Sequence, residues 1–419
     1  MEHLLKRSQV LKLDFFFYTL YSMKKHIEKL YGIAGKKSRR IVGLMSGTSL
    51  DGLDVALCNI ENSGTDTILK MENFVTVPYS DDFRNEIRKI FAKREIDFQQ
   101  LCLLNPYIGS EHGKIILDCL KQWNIAPEEI DLIASHGQTV FHAPKKQHGQ
   151  SLFPDSTLQI GDGDHIAVKT GIITLSDFRQ KHIAAGGEGA PLAVYGDHFL
   201  FSKKGENRIL LNMGGIANFT FLPGNQDTAA VFTSDTGPGN TLIDAYTRRF
   251  FHKPFDENGE IAAKGKVNAP LLEALKLFPF FKQPFPKTTG PEIFNFDYVE
   301  AAIQKAKLTS LSRQDIIATL TRLSADTITD AIKSVMSQND SYTVYASGGG
   351  AHNPLLMQAI QEELNAPAKL IDELGVPGDA KEAVLFAVLA NEAIAGDQSH
   401  FGEKEGVPGI SMGKISLPA

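Results

Sequence analysis

Several kinds of residue that would mark a special class of protein are scarce in this 419-residue chain. It has three cysteines, Cys58, Cys102 and Cys119, and no CxxC pair. A disulfide scaffold is therefore excluded, and a reducing, cytoplasmic compartment is expected. The longest apolar stretch near the N terminus, LDFFFYTLY, is too short to span a bilayer, so no membrane partner is expected. The net charge of −6 and the lack of a basic stripe argue against nucleic acid, which leaves small-molecule partners.

Motifs of several common enzyme classes are also absent. Leu30 stands where the first glycine of a P-loop ending at Gly35-Lys36 would have to be. The segment GTSLDG is not a GxSxG serine-hydrolase turn, because Asp51 takes the final glycine position. The histidines at 136, 142 and 148 are six residues apart and would not share a helical face as zinc ligands.

Two features are present twice and in the same order. IVGLMSGTSLDGLDVAL (41–57) and RILLNMGGIANFTFLP (208–223) each place a glycine-containing turn between two apolar runs. IDLIASHGQTV (130–140) and YTVYASGGGAHN (342–353) each run from a strand into a small polar loop. This order predicts a duplication of two α/β halves, although apolar strands ending in glycine turns are common in any α/β protein.

The length and the repeat predict a domain division. A chain of this size exceeds what one hydrophobic core usually supports. We expect a basic, flexible N-terminal extension over 1–40, a first α/β domain over 41–200 and a second over 201–419. The C-terminal helix of the second could return to the first domain.

Two long helices are predicted within this division. SRQDIIATLTRLSADTITDAIKSVMSQ begins with Ser312 and Asp315 in capping positions and carries one apolar face. GDAKEAVLFAVLANEAIAG is largely apolar, with Asp379 and Glu382 as expected capping residues and Gly396 as the stop. The segment from Phe251 to Phe294, rich in Pro, Gly, Phe and Lys, is interpreted as a long surface excursion.

The glycine turns suggest an anion as ligand. Successive backbone N–H groups without Cβ atoms make a concavity suited to phosphate oxygens. Ser46, Thr48 and Ser49 add hydroxyl donors, while Asp51 and Asp54 could hold Mg²⁺ directly or through water. One such turn could equally be a hairpin that binds nothing. Three further lysine-free turns, NMGGIAN, SDTGPGN and SGGGAHNP, favour phosphate.

Seven blocks in order carry a resemblance to a known family. GLMSGTSLDGLDVAL, SHGQTVFHAP, GDGDHIA, SDFRQKHIAAGGEGAPL, NMGGIANFT, DTGPGN and ASGGGAHNP resemble the anhydro-N-acetylmuramic acid kinases, members of the sugar-kinase, heat-shock ATPase and actin superfamily. The resemblance runs from about Ile41 to Gly396. It implies a two-domain actin-like (ribonuclease H-like) α/β fold, with duplicated halves around a cleft. It also implies an ATP- and Mg²⁺-dependent enzyme of cell-wall recycling, which opens 1,6-anhydro-N-acetylmuramic acid with water and phosphorylates O6. The family often forms homodimers.

The resemblance also implies roles for individual residues. The catalytic base matches Asp177, directly after the apolar strand IITL. The implied nucleotide-binding residues are Gly47, Thr48, Ser49, Leu50, Asp51, Gly52, Leu53 and Asp54 in the first hairpin, Asn212, Gly214 and Gly215 in the second, and Gly348, Gly349 and Gly350 in the late loop. The implied sugar-binding residues are His136, Gln138, Thr139, Glu188 and Gly189. Asp51 is the expected metal ligand, and Asp162 and Asp235 are open alternatives.

Other interpretations remain open for these residues. Asp177 could be a strand-end residue that caps a helix or pairs with Arg179. The polar residues of the predicted sugar pocket could form a loop hydrogen-bond network. Two rival functions also remain: a kinase of an ordinary sugar hydroxyl, and a nucleotide-dependent interaction switch.

Overall fold

The computed structural model describes residues 24–336, 341–396 and 408–419. Residues 1–23 of the predicted N-terminal extension lie outside the described residues. Residues 24–34 form a helix, and the first strand begins at Ser38, so the boundary predicted at residue 40 falls inside that strand. Arg39 and Arg40 fall within the predicted basic extension, but in the structure they are residues of β1. Arg39 is buried and donates from Nε to Asn391 Oδ1 at 2.6 Å, while Arg40 pairs with acidic side chains.

The described part of the chain alternates strands and helices. The strands are β1 (Ser38–Ser46), β2 (Gly52–Glu61), β3 (Ile68–Pro78), β4 (Leu132–Ala143), β5 (Ser156–Ile160), β6 (Thr174–Ser176), β7 (Asn207–Met213), β8 (Ile216–Leu222), β9 (Phe232–Pro238), β10 (Tyr342–Ser347), β11 (Ala368–Leu370) and β12 (Lys414–Ser416). The helices are α1 (24–34), α2 (Asp81–Arg88), α3 (Phe98–Gln122), α4 (Lys145–His148), α5 (Gly163–Thr170), α6 (Phe178–Ala184), α7 (Ala193–Phe201), α8 (Thr241–Phe251), α9 (Ala269–Lys276), α10 (Phe296–Lys305), α11 (Arg313–Val335), α12 (Pro354–Leu364) and α13 (Lys381–Ala395).

Two mixed sheets repeat one strand order. The first runs β12-β6-β4-β1-β2-β3, with β5 paired to β4, and the second runs β11-β10-β7-β8-β9. In each sheet an antiparallel three-stranded meander (β1-β2-β3 or β7-β8-β9) continues into two parallel strands (β4-β6 or β10-β11). The predicted α/β class and the duplication are confirmed by this shared topology.

The chain forms two compact units. One contains the described residues up to Leu200 together with those from Ala380 onward, and the other spans Phe201–Asp379. Helix α13 therefore belongs to the first unit, where it packs on β1, β2 and β4. Gly43 makes this approach possible, since a Cβ there would lie 2.0 Å from the Ala383 carbonyl oxygen.

The second unit contains two apolar clusters. Helix α11 begins as predicted, with the Asp315 N–H donating to Ser312 Oγ at 3.0 Å, and its apolar face contributes to both clusters. The interpretation of residues 251–294 as a surface excursion is wrong. Leu271, Leu275 and Phe294 are fully buried, and the segment supplies much of one cluster. Burial of large phenylalanine rings stabilises this segment, although its proline and glycine residues are typical of loops.

Candidate active site

The turn between β1 and β2 presents polar groups to solvent and anchors them from below. Thr48, Ser49 and Asp51 are exposed, whereas Leu50 is buried in the apolar core of the first unit with a left-handed φ of 60°. The Leu50 N–H donates to the Gly47 carbonyl at 3.4 Å. Leu50 can therefore offer a ligand only its backbone, because its side chain holds the turn in place.

The next residues of the predicted nucleotide loop lie inside β2. A Cβ on Gly52 would lie 2.4 Å from the Val77 carbonyl oxygen, so this glycine allows β2 and β3 to approach each other. Leu53 is fully buried. Asp54 accepts a hydrogen bond from Thr76 Oγ1 at 2.6 Å. Of the predicted nucleotide loop, only residues 47–51 therefore lie in the turn itself.

Asp177 occupies a strained position between β6 and α6. Its φ of 54° and ψ of 49° are left-handed, and its side chain makes no capping hydrogen bond to the helix. Its carboxylate pairs with Lys414, whose side chain is exposed, rather than with Arg179. The alternative of a capping residue or an Arg179 partner is therefore wrong. A non-glycine residue held at positive φ costs about 1–3 kcal/mol, and such residues cluster at functional sites.

Arg179 ties the segment after Asp177 to two other parts of the first unit. Its Nε donates to His136 Nε2 at 2.8 Å and its Nη1 donates to the Gly189 carbonyl at 2.7 Å. Because His136 Nε2 accepts, Nδ1 carries the proton and donates to the Gly137 carbonyl at 2.9 Å. Burial, with Arg179 nearby, lowers the pKa of His136 to about 3. This histidine is a neutral support for the arginine.

The residues predicted to bind sugar lie around this arginine, but several of their polar atoms bond to the protein. Gln138 is fully buried, and its amide accepts from Ser46 Oγ at 2.5 Å and donates to the Gly47 carbonyl at 3.2 Å. Thr139 Oγ1 accepts from Gln159 at 3.2 Å, and Glu188 pairs with Lys146 at 3.0 Å. Their role in sugar binding stays a prediction.

The strand carrying these residues also differs from the prediction. The segment SHGQ is not a loop after a strand but part of β4, which continues to Ala143 and pairs with β5. Gly137 adopts a left-handed φ of 75°, which a glycine takes up without strain, and so β4 continues through this residue. A Cβ there would lie 2.7 Å from the Ile160 carbonyl oxygen.

Helix α13 brings the carboxylate of Glu382 into electrostatic interaction with Arg179. The predicted capping by Asp379 and Glu382 is wrong, because α13 begins after Ala380, with no side-chain capping bond. Desolvation raises the pKa of Glu382, Arg179 opposes the shift and Asp54 adds to it. The ring of Phe386, one turn further on, packs 4.7 Å from that of His136. Glu382 therefore belongs to the same electrostatic environment as Arg179 and Asp54.

Three glycine-rich loops meet within the second unit. The Gly239 N–H donates to the Gly215 carbonyl at 2.8 Å, which joins the DTGPGN loop to the β7–β8 turn. A Cβ on Gly348 would lie 2.8 Å from Asn212 Oδ1, and one on Gly350 would lie 2.6 Å from Met213 Cβ. The predicted residues of the second hairpin and the late loop are therefore neighbours.

The glycines of this cluster differ in the space around them. A Cβ added to Gly214 or Gly349 would have no neighbour closer than 3.6 Å, unlike one added to Gly348 or Gly350. Gly348 and Gly350 are thus required by packing, and Gly214 and Gly349 leave backbone accessible to a ligand.

The three candidate metal ligands have different surroundings. Asp162 caps α5, accepting from the Asp164 N–H at 2.8 Å. Asp235 accepts from the Thr289 N–H at 2.8 Å, and desolvation raises its pKa. Asp51 is exposed beside the turn hydroxyls. Within the described residues no three His, Cys, Asp or Glu side chains cluster as a metal cage. One exposed carboxylate still fits Mg²⁺, which often binds through one or two carboxylates, water and substrate phosphates.

Arg179 and Glu382 are the site residues that sequence reasoning missed. The sequence indicates Arg179 only as a possible partner of Asp177, and Glu382 only as a capping residue. The position of Arg179 two residues after Asp177, in the same block, was the available signal for the arginine. The sequence held no comparable signal for Glu382, since its neighbours come from distant segments.

The topology and the site together define a class. The two α/β units share one strand order, and each opens on a hairpin with a glycine-containing turn, so the chain is a duplicated α/β protein. A family model described as anhydro-N-acetylmuramic acid kinase matches residues 39–408. The chain belongs to the anhydro-N-acetylmuramic acid kinase family.

Individual relatives agree with this membership. The chain is 56% identical over 400 residues to the anhydro-N-acetylmuramic acid kinase of Pseudoalteromonas atlantica, covering 94% of this chain and all of the relative. It is 38% identical over 396 residues to the enzyme of that name from Caldanaerobacter subterraneus, covering 93% and 100%.

Solved structures are more distant. One is the activator of 2-hydroxyisocaproyl-CoA dehydratase from Clostridium difficile, with 13% identity, a TM-score of 0.39 and coverage of 85% of this chain and 95% of that one. Another is a ROK family glucokinase from Streptomyces griseus, with 12% identity, a TM-score of 0.34 and coverage of 84% and 98%. No helix in the described ranges combines the length and hydropathy needed to cross a bilayer.

Proposed function

We propose that this chain uses ATP and water to convert 1,6-anhydro-N-acetylmuramic acid into N-acetylmuramate 6-phosphate and ADP, with Asp177 as the base. Family membership supports the reaction. The observation that supports the base is the geometry of Asp177. Its backbone is held in a strained conformation at the end of β6, and its carboxylate makes no bond to the helix that follows.

The substrate explains why a single base suffices. In the anhydro sugar O6 is an ether oxygen with no proton to lose, so it cannot attack phosphorus as an ordinary hydroxyl does. Water attacks C1 instead and gives its proton to the Asp177 carboxylate. The C1–O6 bond breaks, its electrons form the bond from O6 to the γ-phosphorus, and ADP leaves with the electrons of the γ-phosphorus–oxygen bond.

Asp177 is suited to this step by its surroundings. Its partner Lys414 is an exposed lysine, and exposed ion pairs contribute only about 0–1 kcal/mol, so substrate could replace it at low cost. Arg179, two residues further along the chain, interacts electrostatically with Glu382. We propose that Arg179 orders the Gly189 loop for sugar binding, because it holds that loop's carbonyl directly.

The nucleotide would be bound by backbone. The β1–β2 turn offers N–H groups and the Thr48 and Ser49 hydroxyls to phosphate oxygens. In the second unit, the open glycines Gly214 and Gly349 would do the same for phosphate and adenosine. Asp51 would hold Mg²⁺, which neutralises phosphate charge when bound. Because the proposed reaction needs ATP, we expect it to take place in the cytoplasm. We also expect a homodimer, which light scattering after size-exclusion chromatography would test.

The test is mass spectrometry of the product formed from 1,6-anhydro-N-acetylmuramic acid and Mg-ATP in heavy-oxygen water. One heavy oxygen at C1 and a phosphate on O6 are expected. Asp177→Asn should lower turnover by about 10²-fold or more while nucleotide binding persists. Asp164→Asn, which changes an exposed aspartate on α5, is the matched control and should retain full turnover.

Each contrary result has a definite meaning. A sugar phosphate without heavy oxygen would indicate a kinase of an ordinary hydroxyl. ATP hydrolysis that ignores the sugar would indicate a nucleotide-dependent switch. Near-normal turnover of Asp177→Asn would remove Asp177 from the role of base.

A further inference from the structure

A chain of buried polar groups lies beneath the β1–β2 turn. It runs from Gln138 Oε1 to Ser46 Oγ at 2.5 Å, from Ser46 Oγ to Tyr79 Oη at 2.8 Å, and from Tyr79 Oη to His112 Nε2 at 2.9 Å. All four side chains are at most 6% exposed. They come from β1, β4, the segment after β3, and α3, so this series of hydrogen bonds joins four separate parts of the first unit.

The direction of every hydrogen bond in this chain is determined. Gln138 Nε2 donates to the carbonyls of Gly47 and Thr139, so its Oε1 is the end that accepts from Ser46. The Ser46 proton is then used, and Ser46 must accept from the Tyr79 hydroxyl. Tyr79 in turn must accept from His112, which therefore carries its proton on Nε2.

His112 is suited only to this donor role. It is completely buried, and burial lowers its pKa to about 4, so it is neutral at physiological pH. Its Nδ1 has no hydrogen-bond partner among the described residues. Leaving a buried acceptor unpaired costs about 1–3 kcal/mol. A leucine of similar size would avoid that cost, so the bond to Tyr79 is the feature that the histidine provides.

Tyr79 holds the turn at both ends. Its hydroxyl binds Ser46, the residue before the turn, and its backbone N–H donates to the carbonyl of Asp51, the last residue of the turn, at 3.0 Å. Gln138 holds the Gly47 carbonyl between them. The C=O and the N–H of one trans peptide group point in opposite directions. Holding these carbonyls toward the protein therefore turns the N–H groups of the same peptides toward a ligand.

We infer that Tyr79 and His112 are positioning residues for the β1–β2 turn: they fix its backbone for phosphate binding without touching the nucleotide. This inference rests on the proposed function of the turn as a phosphate site. It extends the site to α3, a helix outside all the motifs that indicated nucleotide binding.

The experiment compares Tyr79→Phe and His112→Leu with His112→Gln and Ile116→Val. Tyr79→Phe and His112→Leu each remove a hydrogen bond from this series, whereas His112→Gln retains an N–H donor at the position of Nε2. Ile116→Val removes a methylene from the same helix and core with no link to the turn. Thermal unfolding is measured for each variant. Binding of a non-hydrolysable ATP analogue is measured by calorimetry, and backbone exchange of residues 47–51 by hydrogen–deuterium exchange.

Loss of one anchoring hydrogen bond should weaken analogue binding by about fivefold to tenfold in Tyr79→Phe and His112→Leu. Exchange should rise in residues 47–51 and stay unchanged in the β7–β8 turn. His112→Gln should restore at least part of the affinity, and Ile116→Val should lose stability without losing affinity.

Two outcomes overturn the inference. In one, Tyr79→Phe binds and exchanges like the wild type. In the other, all four variants lose affinity in proportion to stability, which would mean that these hydrogen bonds only stabilise the core. Failure of the proposed function is distinguishable, because then the wild type and Asp177→Asn would themselves not bind the analogue.

Discussion

Replacing Gly43 by alanine tests whether the position of α13 on β1 controls both stability and the site. A methyl group at residue 43 would lie 2.0 Å from the Ala383 carbonyl oxygen and 3.1 Å from the Ala387 Cβ. Packed non-bonded atoms ordinarily lie about 3.5 Å apart or more. Strand and helix must therefore separate by roughly 1.5 Å at this point. The obstacle is backbone, so no side-chain rotation can relieve it.

The expected cost follows from this overlap. Overpacking of a buried site usually costs about 1–3 kcal/mol, and a clash with main chain belongs at the upper end of that range. For units of this size the midpoint of thermal unfolding should fall by roughly 5–10 °C. Glu382 precedes Ala383 in the displaced turn, so its carboxylate moves as well. A displacement of about 1 Å passed on to the groups that position a substrate can lower turnover by about 10²-fold.

The assay pairs calorimetric unfolding with steady-state turnover of Gly43→Ala and of Gly32→Ala. Gly32 lies in α1 with no atom within 4 Å of an added Cβ, so that change should be neutral or stabilise by about 0.5–1 kcal/mol. Wild-type unfolding and turnover in Gly43→Ala would refute the described packing of α13. Lower stability with full turnover would refute the link between α13 and the site.

Two further predictions concern Arg179 and the buried histidines. Arg179→Lys cannot bond both His136 and the Gly189 carbonyl, so the KM for sugar should rise about tenfold while that for ATP changes little; equal rises in steady-state assays would contradict this. Burial lowers the pKa of His112, His182 and His198 from 6.5 to about 4, so each takes up a proton on unfolding but not when folded. Stability is therefore fully present above pH 6.5 and is lost as pH falls towards 4, by about 2 kcal/mol per histidine at pH 5. Urea unfolding at pH 7.5, 6.5 and 5 measures this, and a flat profile would disprove it.

The fold was predictable where local pattern and packing agree. The two hairpins alternate apolar runs with glycine turns, and both form. Helix α11 shows a capping serine and an apolar face over its whole length, and it begins at the predicted residue. Residues 251–294 were misread because Pro, Gly and Lys suggest a loop. The large apolar side chains between them, such as Leu271 and Phe294, pack together only through contacts between distant segments.

The candidate site was predictable only in part, for a similar reason. The resemblance indicated Asp177, but the partner of its carboxylate, Lys414, is 237 residues away in sequence. Arg179 gains its meaning from His136 and Gly189, and Glu382 from Arg179 and Asp54. None of these neighbours lies at a helical or strand spacing, so no periodicity could reveal them.

Polar residues at the ends of apolar strands admit two uses that sequence alone does not separate. The family resemblance implies that His136 and Gln138 bind the sugar, and their polarity would suit its hydroxyl groups. In the structure both are buried, and their ring nitrogens and amide atoms bond to Arg179, Ser46 and backbone carbonyls. A buried polar group must have such partners or lose about 1–3 kcal/mol. A residue flanked by buried strand positions is therefore better interpreted as support for its exposed neighbours than as a ligand contact. On that criterion, the exposed Thr48, Ser49 and Asp51 are the stronger candidates for direct binding in this unit.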